Sequence, residues 1–246
     1  MNDTIQSLHS RKSVRVFEER PLADEVKQAI LHAATQAPTA GNQQLYTILD
    51  ITDQALKDRL AVTCDDQPFI AKAPLVLVFC ADPQKWVDGY GDAGCTPRPL
   101  GKGDLMLAVT DAVIAAQNAV VAAWSLGVGS CYIGDVMEQC EEHRAMFKLP
   151  DTVFPAAMLV FGYPTEQQLA RPKPERAALA HIVHENAYRP MDSAERKELF
   201  GAHTGHQEYE AWMRAFCERK YNSAFAVELN RSVQKYLDAF PTAEAR

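Results

Sequence analysis

Residues 112–134, AVIAAQNAVVAAWSLGVGSCYIG, carry no charged side chain, and a run of that length has few ways to be buried. It either crosses a bilayer, which takes about 20 mainly apolar helical residues, or it forms the middle of a protein core. Gln117 and Asn118 interrupt it, glycines crowd its end, and Asp104 and Asp111 stand just upstream. That pattern fits a buried core helix over 104–126 in a chain that spans no membrane. Two further segments supply what such a helix packs on. APLVLVFCAD (73–82) is continuously apolar and β-branched between Pro74 and Pro83, and FPAAMLVFGYP (154–164) has the same character. Both predict strands buried on both faces. A strand over 45–51 and helices over 24–35 and 53–62 complete a three-layer α+β or α/β sandwich with a helix through its middle. Residues 83–103, rich in Gly and Pro, predict a loop, and 209–240 predicts an amphipathic helical tail.

Composition narrows the class. A chain of 246 residues, 47% of them hydrophobic, suffices for one large domain or two small ones. A net charge of −7 at pH 7 argues against nucleic-acid binding, which calls for a basic surface. The opening MNDTIQSLHS has neither the basic nor the apolar stretch of a secretory signal, and the six cysteines form no CxxC pair. Free thiols in a reducing cytoplasm are the expectation, with Cys80 and Cys131 as apolar core residues. No HExxH, Walker loop or GxSxG elbow is present. His181 and His184 stand three apart, but no further ligands stand at metal-site spacing, so no metal is expected.

Against that acidic background, HSRKSVRVF (9–17) gathers Arg11, Lys12 and Arg15 around Ser13. Val14, Val16 and Phe17 are interleaved with the cations and anchor the segment. A second basic cluster, RPKPER (171–176), is stiffened by Pro172 and Pro174. Two such clusters, far apart in sequence, suggest a folded anion site in which arginine grips a phosphate bidentately and lysine adds a point charge. APTAGNQQLY (37–46) sets Thr39, Asn42, Gln43 and Gln44 beside Gly41. Those groups suit a planar, heteroatom-rich ligand, although an ordinary polar turn has the same composition. In SLGVGSCYIGD (125–135), Gly127, Gly129 and Gly134 allow close backbone approach or positive φ. Their spacing departs from GxGxxG and disfavours a dinucleotide loop. Tyr132 and Ile133 between them offer a flat apolar surface to a ring.

SRKSVRVF, APTAGNQQLY, DDQPFIAKAPLVLVF, SLGVGSCYIGD, FGYP and RPKPER, in that order and spacing, give the chain a resemblance to the FMN-dependent nitroreductase family over roughly residues 5–190. The resemblance implies an α+β fold, a three-layer α/β/α sandwich with a mixed, mainly antiparallel sheet around the central helix. It implies an FMN-binding domain over 1–190 and a helical C-terminal extension over 191–246, packed on the same domain or on a dimer partner. It assigns Arg11, Lys12, Ser13 and Arg15 to the FMN phosphate and ribityl chain, and Lys173 and Arg176 to a second basic segment that closes over the phosphate. Pro38, Thr39 and Asn42 match a loop that reaches the flavin ring of the other subunit. Gln67 matches a glutamine near the pyrimidine edge, and Tyr132, Ile133 and Gly134 match the segment beside the reactive N5. Thr39-Ala40 stands where many relatives have two serines, and Asp135 where some have a second glycine; both bear on redox tuning more than on FMN binding.

The activity so implied is a ping-pong oxidoreductase. NADH or NADPH passes hydride to FMN N5, and an electron-poor acceptor such as a nitroaromatic or quinone then takes its place. The flavin supplies the chemistry, so no catalytic side chain is expected. Backbone amides and cations at the ring edge stabilise the developing negative charge. The expected assembly is a cytoplasmic homodimer with shared FMN sites, acting on small molecules. Rival readings are a same-fold flavin reductase, dehalogenase or dehydrogenase, and a non-catalytic flavin-binding sensor that engages a partner through its C-terminal helices.

Overall fold

The apolar run after Pro74 lies inside a four-stranded sheet in the computed structural model, which describes residues 1–241. In chain order the elements are α1 (Asp3–Ser10), α2 (Asp24–Thr35), β1 (Tyr46–Asp50), α3 (Gln54–Thr63), α4 (Phe69–Lys72), β2 (Leu75–Ala81), α5 (Gln84–Asp92) and α6 (Lys102–Ser125). They continue with β3 (Gly129–Ile133), α7 (Cys140–Phe147), β4 (Phe154–Gly162), α8 (Glu166–Ala170), α9 (Leu179–Ile182), α10 (Ser193–Gly201), α11 (Tyr209–Lys220) and α12 (Ala224–Leu237). The strand order is β1-β2-β4-β3, with every neighbouring pair antiparallel. Among the described residues the only parallel pairing is a bridge between Ser13 and Ser130.

All of β2 and β4 is buried because both faces of the sheet are covered. Successive side chains of a strand point to opposite faces. Leu75, Leu77, Phe79 and Ala81 therefore enter one core, with α2, α6, Tyr236 and Phe240. Val76, Val78 and Cys80 enter a second, with Leu60, Ile70, Val136 and Met158. The result is the expected α+β sandwich. The long uncharged run divides between α6, which is the one described helix long and apolar enough to cross a membrane, and β3. Ala108, Ala112, Ala115, Ala116, Ala119 and Ala123 form the buried stripe of α6, and their small side chains let it lie close to α2 and the sheet.

Some expectations need correction. Residues 83–103 are not loop throughout. Despite Gly89 and Gly91, α5 forms there, with Trp86, Val87 and Tyr90 lining a cavity together with Leu100 and Leu107. The indole Nε1 of Trp86 also donates to the Gln43 carbonyl at 2.8 Å. The tail 209–240 is two helices, α11 and α12, broken between Tyr221 and Ser223. One compact unit holds Met1–Arg171 and the chain from Glu228, and the other holds Pro172–Val227. The physical cause is the return of α12 to the first unit. Its Tyr236 is buried edge-on against Phe154, with ring centroids 5.0 Å apart, and its Ser232 Oγ accepts from the Cys140 N–H at 2.9 Å.

Gly129 has a packing role rather than a ligand-facing one. A Cβ there would lie 2.5 Å from Cγ2 of Val14, a residue with no exposed surface. Gly129→Ala should therefore force the 11–15 segment away from β3 and destabilise the protein by about 1–3 kcal/mol, the usual scale of overpacking. At Gly134 an added Cβ meets only Met137 Cε at 4.0 Å, so Gly134→Ala should stay within about 0.5 kcal/mol of wild type. Guanidinium unfolding of the two variants checks the contrast.

Candidate functional site

The edge strand β3 organises two groups of side chains, one at each end. At its start, Val14 N–H donates to the Ser130 carbonyl at 2.9 Å, while Arg15 N–H donates to Gln168 Oε1 at 3.3 Å. Val14 points inward, leaving Ser13 and Arg15 exposed and Arg11 partly so. Neither arginine is in an ion pair with an acid among the described residues. Both face the strand. Burial pushes the Cys131 thiol and the Tyr132 phenol up, the phenol to about 12, and Arg15 and Arg11 respectively act against it. Lys12 is turned elsewhere: its Nζ donates to the Leu169 carbonyl at 2.6 Å and to that of Arg171. Two of its three donors thus clamp the basic segment to the end of α8.

At the other end of β3, Gln67 Nε2 donates to the Cys64 carbonyl at 2.7 Å and to Asp135 Oδ2 at 2.8 Å. The amide nitrogen is thereby fixed toward Asp135. Beside it the backbone face of Gly134 is open, and Ile133 is buried. Ser130 and Gly134 are separated by four residues of mostly extended chain, about 14 Å. A pair of guanidinium groups with a hydroxyl, then a strand edge, then an amide and an open backbone suit an elongated ligand with an anionic head and a hydrogen-bonding ring edge.

Pro38, Thr39 and Asn42 form a separate group. They lie on a turn in which Gly41 and Asn42 both have positive φ, 56° and 57°. Asp111 of α6, 3% exposed, holds that turn. Its carboxylate accepts from Thr39 Oγ1, from Ala40 N–H at 3.0 Å and from Leu45 N–H at 3.1 Å. Pro38 and Asn42 remain exposed. Among the described residues no hydrogen bond joins this turn to either end of β3. Lys173 and Arg176 belong to the second unit. His181 Nε2 stands 3.7 Å from Glu198 Oε2, and no group of three metal-ligating side chains exists among the described residues.

Asp111 was not singled out from the sequence as a functional residue, although an acid leading an otherwise apolar helix is a visible signal. His143 was also missed. It is fully buried, bonding Val136 O at 2.9 Å and Thr63 Oγ1 at 2.8 Å; burial lowers its pKa, and the ring ties α7 to α3.

This three-layer sandwich carries along its edge strand groups of the kind that suit an elongated phosphorylated ring compound. Comparison with known proteins narrows the class. The model of the nitroreductase family matches residues 8–163. An oxygen-insensitive NADPH nitroreductase of Salmonella typhimurium is 35% identical over 193 residues, covering 78% of this chain and 77% of that protein. An FMN reductase (NAD(P)H) of Bacillus subtilis is 29% identical over 241 residues, covering 97% and 92%. The solved structure of B. megaterium NfrA2 matches with a TM-score of 0.86 at 25% identity, over 98% of this chain and 100% of that one. The chain belongs to the nitroreductase family.

Asp111→Ala should cost about 2–4 kcal/mol, because it leaves buried donors of the 39–45 turn unpaired. Asp111→Asn, which keeps one acceptor oxygen, should cost less. Denaturant unfolding gives the energies, and amide hydrogen exchange should speed up at Ala40 and Leu45 in the alanine variant.

Proposed function

We propose that the protein is an FMN-dependent NAD(P)H oxidoreductase that delivers reducing equivalents to electron-poor small molecules such as nitroaromatics and quinones. The observation that carries the reading is the receptor along β3, in a chain whose relatives are named as NADPH nitroreductase and FMN reductase. Arg11, Ser13 and Arg15 would hold the phosphate, and the two arginines, without an acidic partner among the described residues, keep their guanidinium charges available to a dianion. Lys12 fixes that segment to α8 and offers its remaining donor. Gln67 and the backbone at Ile133–Gly134 would meet the ring edge. Tyr132, 38% exposed, would cover part of the ring. FMN, when bound, supplies the hydride chemistry; the chain supplies binding, orientation and a polarised edge.

The working unit is a homodimer in the cytoplasm. The Asp111-braced turn presents Pro38 and Asn42 outward without bonding to its own receptor, which suits a contribution to the partner subunit's flavin. Met106 and Leu107, 53% and 52% exposed on α6, offer apolar surface to a second copy. Obligate interfaces often bury ~2,000–5,000 Å².

The purified protein should be yellow and release FMN on denaturation, and NADH or NADPH should bleach it anaerobically until an acceptor restores the colour. A colourless protein that FMN does not reconstitute would overturn the reading. Bleaching without turnover of any acceptor would favour the sensor alternative. Arg15→Ala should weaken FMN binding by about 1.5–3 kcal/mol, the scale of a charge-assisted hydrogen bond. Lys85→Ala should not, since Lys85 Nζ bonds the Tyr46 carbonyl at 2.6 Å instead. Sedimentation should give twice the 27.3 kDa chain mass; a monomer that retains FMN and turns over would refute the shared site.

A further inference from the structure

Behind Gln67 and Asp135 stands Glu138, 5% exposed, with its Oε1 buried and without a hydrogen-bond partner. Its N–H donates to the Asp135 carbonyl at 3.0 Å, and the Asp135 side chain lies close enough to act on its carboxyl. Asp135 in turn accepts from Gln67. Glu138, Asp135 and Gln67 therefore form a line from the interior to the ring end of the receptor. Two neighbouring carboxyls do not both ionise readily.

The surroundings favour keeping the proton. Asp65, which follows α3, and Glu228 of α12 add negative charge toward Glu138. Glu228 is itself paired with Arg231 at 2.8 Å, so that arginine's charge is engaged. Cys64 faces the same acids, with its thiol pushed far up by burial. His143 of α7 faces Glu138 too, with its pKa lowered by burial. With burial as the largest cause and Asp135 next, the Glu138 carboxyl is raised to about 8.

We propose that Glu138 and Asp135 are a one-proton carboxyl pair that, through Gln67, couples the charge of the reduced flavin to pH. This rests on the flavin reading above. Hydride transfer adds two electrons and one proton to the ring, hence one negative charge. While the pair holds its proton it carries one negative charge; after losing it, two. The second charge stands behind the ring edge and disfavours the reduced cofactor. Glu138 is a positioning residue here, acting through Asp135 and Gln67.

The sign follows from linkage. The folded protein keeps a proton on the pair that the unfolded chain gives up in the ordinary carboxylate range, so the pair's contribution to stability is full at low pH. That contribution falls as pH rises toward about 8 and is flat beyond. The test compares purified wild type with Glu138→Gln, which is neutral at every pH. Guanidinium unfolding from pH 5 to 9.5 should show wild-type stability declining relative to the variant until near pH 8. The affinity for reduced relative to oxidised FMN, read from the midpoint potential, should fall about tenfold above pH 8 in wild type only. Parallel stability curves would overturn the proton on Glu138. Diverging stability curves with identical pH dependence of the potential would overturn the coupling. Failure of both proteins to bind FMN would overturn the flavin reading and the coupling together, and the unfolding curves would still report the proton. If Glu138→Gln does not fold, Asp135→Asn should move the end of the stability decline to lower pH, and no movement would count against the pair.

Discussion

The close approach of α6 to the sheet is the constraint from which the rest is hung. An alanine stripe of this kind brings helix backbone near strand backbone with little side chain between, and that proximity fixes what the polar residues of α6 can reach. From the same helix Asp111 meets the 39–45 turn, Asn118 Nδ2 donates to the Ala33 carbonyl at 3.2 Å, and Gln117 Oε1 accepts from Tyr132 Oη at 3.4 Å. Trp124 Nε1 donates to Ser10 Oγ at 2.9 Å, which ties α1, and hence the basic segment after it, to the end of α6. A larger residue in the stripe would shift all of these attachments together.

The two ends of β3 are electrostatic opposites. Near Ser130 the cations outnumber the acids, and near Gly134 the carboxyls of Asp135, Glu138, Asp65 and Glu228 gather. A phosphorylated redox ring fits such a gradient in one direction only. In the proposed site the phosphate would be drawn to Arg11 and Arg15, and the ring would meet the end where Asp135 and Glu138 stand. Behind the Gln67 amide at that end stands a buried acid, Glu138.

Much of the architecture was legible because it rests on local pattern. The runs 73–82 and 154–164 read as doubly buried strands and the uncharged run as a core helix, since continuous apolar character admits few other solutions. The five-residue β3 was hidden by its glycine and its brevity, and α5 by its two glycines. The basic cluster was visible as residue types, but the turning of Lys12 toward α8 depends on carbonyls far along the chain. Asp111 could have been flagged as an acid within an apolar helix. Glu138 could not, because its burial and its acidic company come partly from α12, which closes over the site only after the chain has left and returned.

That return has a consequence for how the molecule can vary. The segment 172–227 is bracketed by two fixed points in the first unit: Arg171, whose carbonyl is held by Lys12, and the Glu228–Arg231–Glu141 cluster. Chain between two such clamps behaves as an insertion with pinned ends. The entropy of closing it grows only slowly with its length, so this stretch can lengthen, shorten or change its surface while the receptor on β3 keeps its geometry. The helices α9, α10 and α11 thus belong to a stretch whose two ends are each anchored by side chains of the first unit.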